Sequence, residues 1–402
     1  MGKAAPRTAL VIGAGIGGLC AALCLQRAGF SVRVLERAAQ LGDVGAGIQL
    51  SPNAMRVLAA LGVAPKLADA AVAPSALTMR RGLSGRPVFR LPINDRTHSA
   101  AYWHVHRADL IGTLADTLTQ ANSAAIEFDI TVTHCDHDNG VVTTAEGVRH
   151  SADIIVGADG IHSTVRDCLF GQDKPQFTGN VAWRMLAPTA AIGKHAPASE
   201  ATVWVGPGKH AVTYRLRGGA FSNLVGVVET DAWQEESWQA KGSREQALAD
   251  FQDWHPTIRN IIEHADTHFR WALCERPLLP RWHIKRAVLI GDACHAMLPF
   301  MAQGAAMAIE DAWVLAALLQ HAHDPRDAFL RFHAVRHGRT SRVQRTARRN
   351  GRIFHRRTAT SQALTFTPLA LIGQMAPTLL SRQTRWLYDK DVVSEHPITL
   401  ER

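Results

Sequence analysis

The hydrophobic pattern changes period several times along the chain. Residues 8–12 form an uninterrupted apolar run, as expected of a strand covered on both faces. Six residues rich in glycine follow, and 19–28 carry small apolar side chains at helical spacing. A second strand, 31–35, ends at Glu36. This opening reads as strand, tight turn, helix, strand and acid. Further on, 53–61 predicts a helix, 74–90 is β-rich, and a helix starts after Arg107 with Asp109 in its first turn. Segments 126–132 and 141–144 suggest a meander, and 153–156 a buried strand.

From 177 to 271 the period becomes two, with turn glycines between strands at 181–186, 201–205, 211–216 and 223–228. A buried strand at 286–290 then feeds a helix at 304–319, and the rest of the chain is helical. The expected class is therefore α/β: a Rossmann-like nucleotide-binding domain discontinuous in sequence, with an inserted antiparallel β-sheet domain and C-terminal helices. Its pieces are assigned as 1–73, 105–176 and 276–357 for the nucleotide domain, 74–104 and 177–275 for the inserted sheet, and 358–402 for the helical end.

Bulk properties narrow the setting. With 402 residues and 47% hydrophobic content the chain can bury a large core. No signal-like segment precedes the first strand, and no apolar run reaches the length of a membrane span. The most apolar stretch, 364–380, is broken by Pro368, Gly373 and Pro377 and reads as broken helices on a surface. The six cysteines show no metal or redox spacing, so reduced thiols in a cytoplasmic protein are expected and no metal is assigned. The net charge of +9 is concentrated in an arginine stripe, from Arg339 to Arg356 at helical spacing. It reads as a solvated or salt-bridged face, or else as an attractor for an anionic aromatic acid, a nicotinamide nucleotide or a membrane surface. Nucleic acid is not expected, because no recognition module accompanies the stripe.

Gly13, Gly15 and Gly18 allow a pyrophosphate to approach backbone N–H groups at a helix start. Glu36 is placed to accept from an adenosine ribose, which favours FAD or NAD over NADP, and Arg37 beside it is a candidate for the same nucleotide.

Two further segments, Asp159-Gly160 and Gly291-Asp292, complete a set that resembles the three fingerprints of single-component FAD-dependent aromatic hydroxylases. The stretches 45–53, 106–110, 182–184 and 301–312 are most similar to the branch containing salicylate hydroxylase, 3-hydroxybenzoate 6-hydroxylase and 6-hydroxynicotinate 3-monooxygenase. The resemblance implies FAD as cofactor, NAD(P)H as co-substrate, and a phenolic aromatic acid hydroxylated with dioxygen through a flavin C4a-hydroperoxide. It implies a monomer or homodimer. Ubiquinone-pathway ring hydroxylases and flavin dehydrogenases or reductases share these motifs and stay open as alternatives.

Residue by residue, Asp292 is expected to accept from ribityl hydroxyls, and Arg107 to hold a phosphate or the ribityl chain, unless it only pairs with Asp109. Gly304 and Ala305 open a helix whose N–H groups suit the flavin pyrimidine, and Pro299 a turn over its face. Asp159 belongs to a segment associated with both nucleotides, with Ser163 and Arg166 capping and orienting the next helix. Gly47 and Gln49 are assigned to the cofactor, Gln49 also being able to reach substrate or to serve structure alone.

His210 and Tyr214 have the spacing that the branch uses on the substrate hydroxyl. On a strand they share a face, so imidazole and phenol are expected to converge on one phenolic oxygen, with His210 as base; sheet packing is the other reading. Some relatives carry a polar residue where this chain has Pro299-Phe300, so His210 is expected to act with Tyr214 alone. His295 is expected to be a local contact, not a base.

Overall fold

The computed structural model describes residues 6–42, 47–93, 100–230 and 241–399; Gly45 and Ala46 of the 45–53 motif lie outside them. The central layer is a six-stranded sheet in the order His283–Ile284, Ala287–Leu289, Ile154–Gly157, Thr8–Ile12, Ser31–Leu35, Ile126–Glu127. All its pairs are parallel except the first. Parallel strands need covering on both faces, which is why Leu10, Val11, Val34 and Ile155 are all buried. The strand expected over 126–132 splits in two. Ile126–Glu127 joins this sheet, and Val132–Asp136 starts a separate antiparallel meander with Val141–Thr144 and Arg149–Ser151.

The glycine turn is closed by contact. Gly13 has φ +102°, and a Cβ there would lie 2.7 Å from the Ala158 carbonyl oxygen. One on Gly18 would lie 1.9 Å from the Gly13 carbonyl oxygen. No other residue lets the first strand, the helix Ile16–Arg27 and the strand Ile154–Gly157 meet so closely.

A second sheet has seven strands in the order Phe269–Glu275, Gln176–Pro188, Phe221–Glu229, Lys209–Leu216, Ala201–Gly206, Ala76–Arg81, Pro87–Pro92. Ala201–Gly206 pairs in parallel with Ala76–Arg81, which ties the early β-rich segment to the later one. Trp183, Phe251, Trp254 and Ile258 form a core between this sheet and the helices Arg244–Asp250 and Pro256–His264. A separate cluster joins Val205, Val227 and Trp271 to Phe300, Phe354 and Phe366, so the C-terminal helices pack against the same sheet.

The 30-residue helix Pro325–Phe354 carries the arginine stripe as far as Arg352, Arg356 lying beyond its end, and ion pairs form along it at Arg336, Arg339 and Arg348. Arg339 makes two 2.7 Å bonds to Glu310, Arg348 pairs with Glu275 at 2.7 Å, and Arg342 lies 3.8 Å from the Trp386 ring centre. Arg336, one turn earlier, is fully buried between Glu310 at 2.5 Å and Asp311 at 2.7 Å. Such an arrangement is costly to break, since either carboxylate would be left buried without its cation. The helices Ala359–Met375 and Pro377–Tyr388 follow; the apolar pair that they begin is bent by 101°. Among the described residues no single helix is long and apolar enough to cross a membrane. All six cysteines are free, and burial pushes the Cys20 and Cys24 thiols up.

Candidate active site

A cavity of about 660 Å³ runs between the two sheets, from the glycine turn at Gly15 to the far wall at His210. Three short pairings aim its lining. The strand Gly47–Leu50 pairs antiparallel with Trp103–His106, which sets Gly47 opposite His106 and Gln49 opposite His104. The helix Arg107–Ala121 then begins with Arg107 on the cavity wall. Across from it, the strand Ala287–Leu289 leads through Gly291 into Asp292, also on the wall.

Arg107 is half-buried and Asp292 is open to the cavity, with no hydrogen-bond partner for either side chain among the described residues. Burial lowers the Arg107 pKa, opposed by Asp292. Burial raises that of Asp292, opposed by His295 and Arg107. Asp109 pairs instead with Arg217 at 2.8 Å, so Arg107 is not spent on it. Two facing charges left open toward a cavity suit a long polar ligand with hydroxyls and phosphates.

The nucleotide end is built from backbone. Gly15 caps the helix Ile16–Arg27, and a Cβ there would meet nothing within 4 Å, so its side faces open space. Glu36 accepts from the N–H of Ala14 at 2.6 Å and Ala38 at 2.9 Å, which fixes the carboxylate beside the turn with acceptor capacity to spare. Arg37 is exposed next to it. At the opposite end, Gly304 and Ala305 start the helix Gly304–Gln320 on the cavity wall. First-turn N–H groups have no intrahelical partner, so they face the cavity as donors. Pro299 lines the same stretch and closes a turn by accepting from Ala302 N–H at 2.9 Å.

Three assigned residues make bonds within the protein. Asp159 accepts from Ser163 Oγ at 2.5 Å and from Val165 N–H at 3.1 Å, so its carboxylate caps the helix Thr164–Phe170. The cavity wall there is made by its neighbours Ala158 and Gly160. Gln49 lines the cavity and accepts from the Tyr102 hydroxyl at 2.7 Å. Gly47 donates to Asn223 Oδ1 at 3.0 Å, and Asn223 pairs with Tyr214 in the sheet. A Cβ on Gly47 would lie 2.3 Å from Tyr214 Cε2, so this glycine makes room for the tyrosine ring.

His210 and Tyr214 both line the cavity from the strand Lys209–Leu216, as their shared face predicts. Convergence on one oxygen does not follow. Four residues of strand set their Cα atoms about 13 Å apart, and each has its own surroundings. Tyr214 packs beside His104, ring centres 4.6 Å apart, and burial pushes its phenol up, opposed by Arg184. His210 is wedged against Phe300 and Phe354. Nor does His210 act with Tyr214 alone: its Nδ1 lies 2.6 Å from His355 Nε2. Burial, with His355 adding to it, holds the His210 pKa well below its ordinary value, so the ring is neutral at pH 7.

Arg184 is the functional candidate that the strand pattern did not single out. It lines the cavity, stacks over Trp271 at 4.4 Å from the ring centre, and its buried Nε has no hydrogen-bond partner among the described residues. Burial lowers its pKa to about 10, which still leaves it a cation at neutral pH. The resemblance of the segment 182–184 to the hydroxylase branch was the available signal. His295 Nε2–H donates to the Asp311 carboxylate at 2.6 Å inside the core, in the same buried network as Arg336. Gln303 and Asn53 extend that network to Ser51, which clamps the start of the helix Gly304–Gln320 to the segment after Leu50.

A family model described as an FAD-binding domain matches residues 7–347, most of the chain. This chain belongs to that FAD-binding family. Within it, 6-hydroxynicotinate 3-monooxygenase of Bordetella bronchiseptica is 36% identical over 86% of this chain and 91% of its own length. The 3-hydroxybenzoate 6-hydroxylase 1 of Aquipseudomonas alcaligenes is 33% identical over 96% and 98%. Among solved structures, HpxO of Klebsiella pneumoniae, complexed with FAD and uric acid, superposes with a TM-score of 0.82 at 26% identity, covering 93% of this chain and 97% of its own. The flavoprotein is thus an FAD-dependent monooxygenase of the aromatic-hydroxylase group. The glycine cradle, the open Arg107 and Asp292 side chains and the donor turn at Gly304 fit FAD along its whole length.

Proposed function

We propose that this enzyme hydroxylates a phenolic aromatic acid, taking its electrons from NADH or NADPH. The observation that carries the reading is a single wall presenting a neutral buried imidazole, His210, and a half-buried cation with no carboxylate partner among the described residues, Arg184, to the same cavity. A neutral imidazole suits a phenol, and an open guanidinium suits a carboxylate. Relatives named for hydroxybenzoate and hydroxynicotinate point to the same substrate class.

FAD, when bound, supplies the reduction by the nicotinamide nucleotide and the activation of dioxygen. Gly13, Gly15, Gly18 and Glu36 would hold its adenosine half, with Arg37 beside them; Arg107 and Asp292 its middle; Pro299, Gly304 and Ala305 its ring end. Gly47 and Gln49 complete the wall beside the ring.

The chain's own part in the chemistry follows from the wall. His210 accepts the phenol proton at Nε2, because Nδ1 is committed to His355. The resulting phenolate is a better nucleophile at the carbons ortho and para to it. Arg184, with Tyr214 near it, holds the carboxylate and so fixes which carbon faces the reacting end of the cofactor. Apolar walls from Val225, Val227, Phe300 and Phe354 exclude water from that face.

A panel of hydroxybenzoates and hydroxypyridine carboxylates, scored by stimulated NADH or NADPH oxidation and by product mass, tests the reading. Stimulation by phenolic acids with a hydroxylated product is expected. Equal stimulation by the corresponding neutral phenols would remove the carboxylate from the proposal, and no hydroxylated product from any ligand would refute it.

A further inference from the structure

The base proposed above is buried, so the proton it takes must go somewhere. His210 has one ring nitrogen at the cavity and the other 2.6 Å from His355 Nε2. His355 Nδ1 in turn lies 3.0 Å from Glu229 Oε1. Glu229 is 29% exposed, and its other oxygen takes two donors from Arg357, whose side chain is 74% exposed. Four groups therefore form an unbroken line from the cavity wall to solvent.

The line is held by backbone as well as by its own bonds. Gly208 donates to the His355 carbonyl at 3.4 Å, and its own carbonyl accepts from Glu229 N–H at 3.0 Å. His355 caps the helix Pro325–Phe354, its N–H bonded to Gly351 O at 3.1 Å. Phe300 and Phe354 flank His210, so water has little access to the two imidazoles from the side. The nearest other cation on the strand, Lys209, is turned away to the Asp250 carbonyl.

We propose that His355 and Glu229 form a proton path that connects His210 to the surface and sets how fast the bound phenol ionises. As the phenol O–H bond breaks, its proton goes to His210 Nε2. The proton on His210 Nδ1 passes to His355 Nε2, the proton on His355 Nδ1 passes to Glu229, and Glu229 releases it to water. No electrons move, and charge balances as one phenolate formed and one proton delivered to solvent. The tautomers of both rings are left reversed, and the hydroxylated ring restores them when it regains a proton along the same line. Burial would raise the Glu229 carboxyl, but hydrogen bonds from Arg357 and His355 outweigh this and keep it ionised to receive the proton. His355 is likewise kept neutral by burial, against the pull of Glu229.

This path rests on the phenolic-acid reading, and its test separates the two. The probe is 5-hydroxy-2-nitrobenzoate, a phenolic acid whose ionisation changes its visible absorbance, mixed by stopped flow with the FAD-loaded full-length enzyme near pH 6. Binding is read independently from the perturbed flavin spectrum. In the wild type the phenolate signal should form as fast as binding. In His355→Ala, binding should stay within about threefold while phenolate formation slows on the order of 100-fold. Added imidazole should restore it, and substituted imidazoles in the order of their basicity. Glu229→Gln should slow it less, because water reaches that point. Rescue is the part that a purely structural histidine would not show. A probe that binds and ionises as fast in both variants as in the wild type would overturn the path alone. A probe that leaves the wild-type flavin spectrum unchanged would overturn the phenolic-acid reading and the path with it.

Discussion

Gly47→Ala adds one methyl group where the structure has no space for it. The new carbon would lie 2.3 Å from Tyr214 Cε2 and 2.9 Å from both Tyr214 Cζ and Leu216 Cδ1. Ordinary contact begins near 3.4 Å, so the ring must retreat by about 1 Å. It cannot do so freely, because His104 stands with its ring centre 4.6 Å away and is itself fully buried. Overpacking of this kind costs about 1–3 kcal/mol of stability. A shift of about 1 Å in a substrate-positioning group costs about 100-fold in turnover, or about 2.7 kcal/mol in the barrier. The methyl group points at Tyr214 and Leu216, so FAD content should stay at the wild-type level. The assay is steady-state hydroxylation at saturating phenolic acid, with urea unfolding and flavin content measured on the same preparation. A Gly47→Ala enzyme with wild-type turnover and stability would refute the reasoning.

Asp292→Ala removes an open carboxylate from the middle of the cofactor cleft and should be isolated largely free of FAD, with Kd raised at least about tenfold, roughly 1.4 kcal/mol; a fully loaded, active variant would take Asp292 out of the cofactor site. Arg184→Met keeps most of the side-chain volume but not the charge, and should raise KM for carboxylated phenols by one to two orders of magnitude while leaving FAD bound; an unchanged KM would free Arg184 from substrate. Acid should also act through the buried network. Burial would raise Asp311, but His295 and Arg336 outweigh it and bring its pKa down to about 2 from an ordinary 3.8. The folded pKa is the lower one, so the stabilisation is present above about pH 4 and is lost as pH falls toward 2, on the order of 2 kcal/mol. Urea unfolding from pH 5 downward should show that limb in the wild type and not in Asp311→Asn; identical slopes would refute it.

What the sequence disclosed was local. The turn from Gly13 to Gly18, the acid at Glu36 and the helix start at Gly304 are each fixed by a few neighbours, and their spacing carries the geometry with it. Period-two alternation likewise located the strands that present His210 and Tyr214. Their convergence failed because strand periodicity gives the face but not the distance along it. His355 was invisible for another reason: it reaches His210 across 145 residues, from the end of a helix whose charge pattern drew attention to the arginines instead. Arg336 was missed in the same way, since a buried arginine and a solvated one look alike until Glu310 and Asp311 are seen to enclose it. Asp159 stands between these cases, its spacing to Ser163 and Val165 serving a helix cap beside the cavity.

The central claim is that one atom of dioxygen is placed on a phenolic acid in this cavity. Turnover of the responsive phenolic acid under oxygen-18 gas, with NADH or NADPH supplied, measures it directly by product mass. The product should carry one labelled oxygen, in amounts that match the nicotinamide nucleotide consumed. Nucleotide consumption that yields only hydrogen peroxide with every phenolic acid, or a hydroxyl oxygen that comes from water, would contradict it.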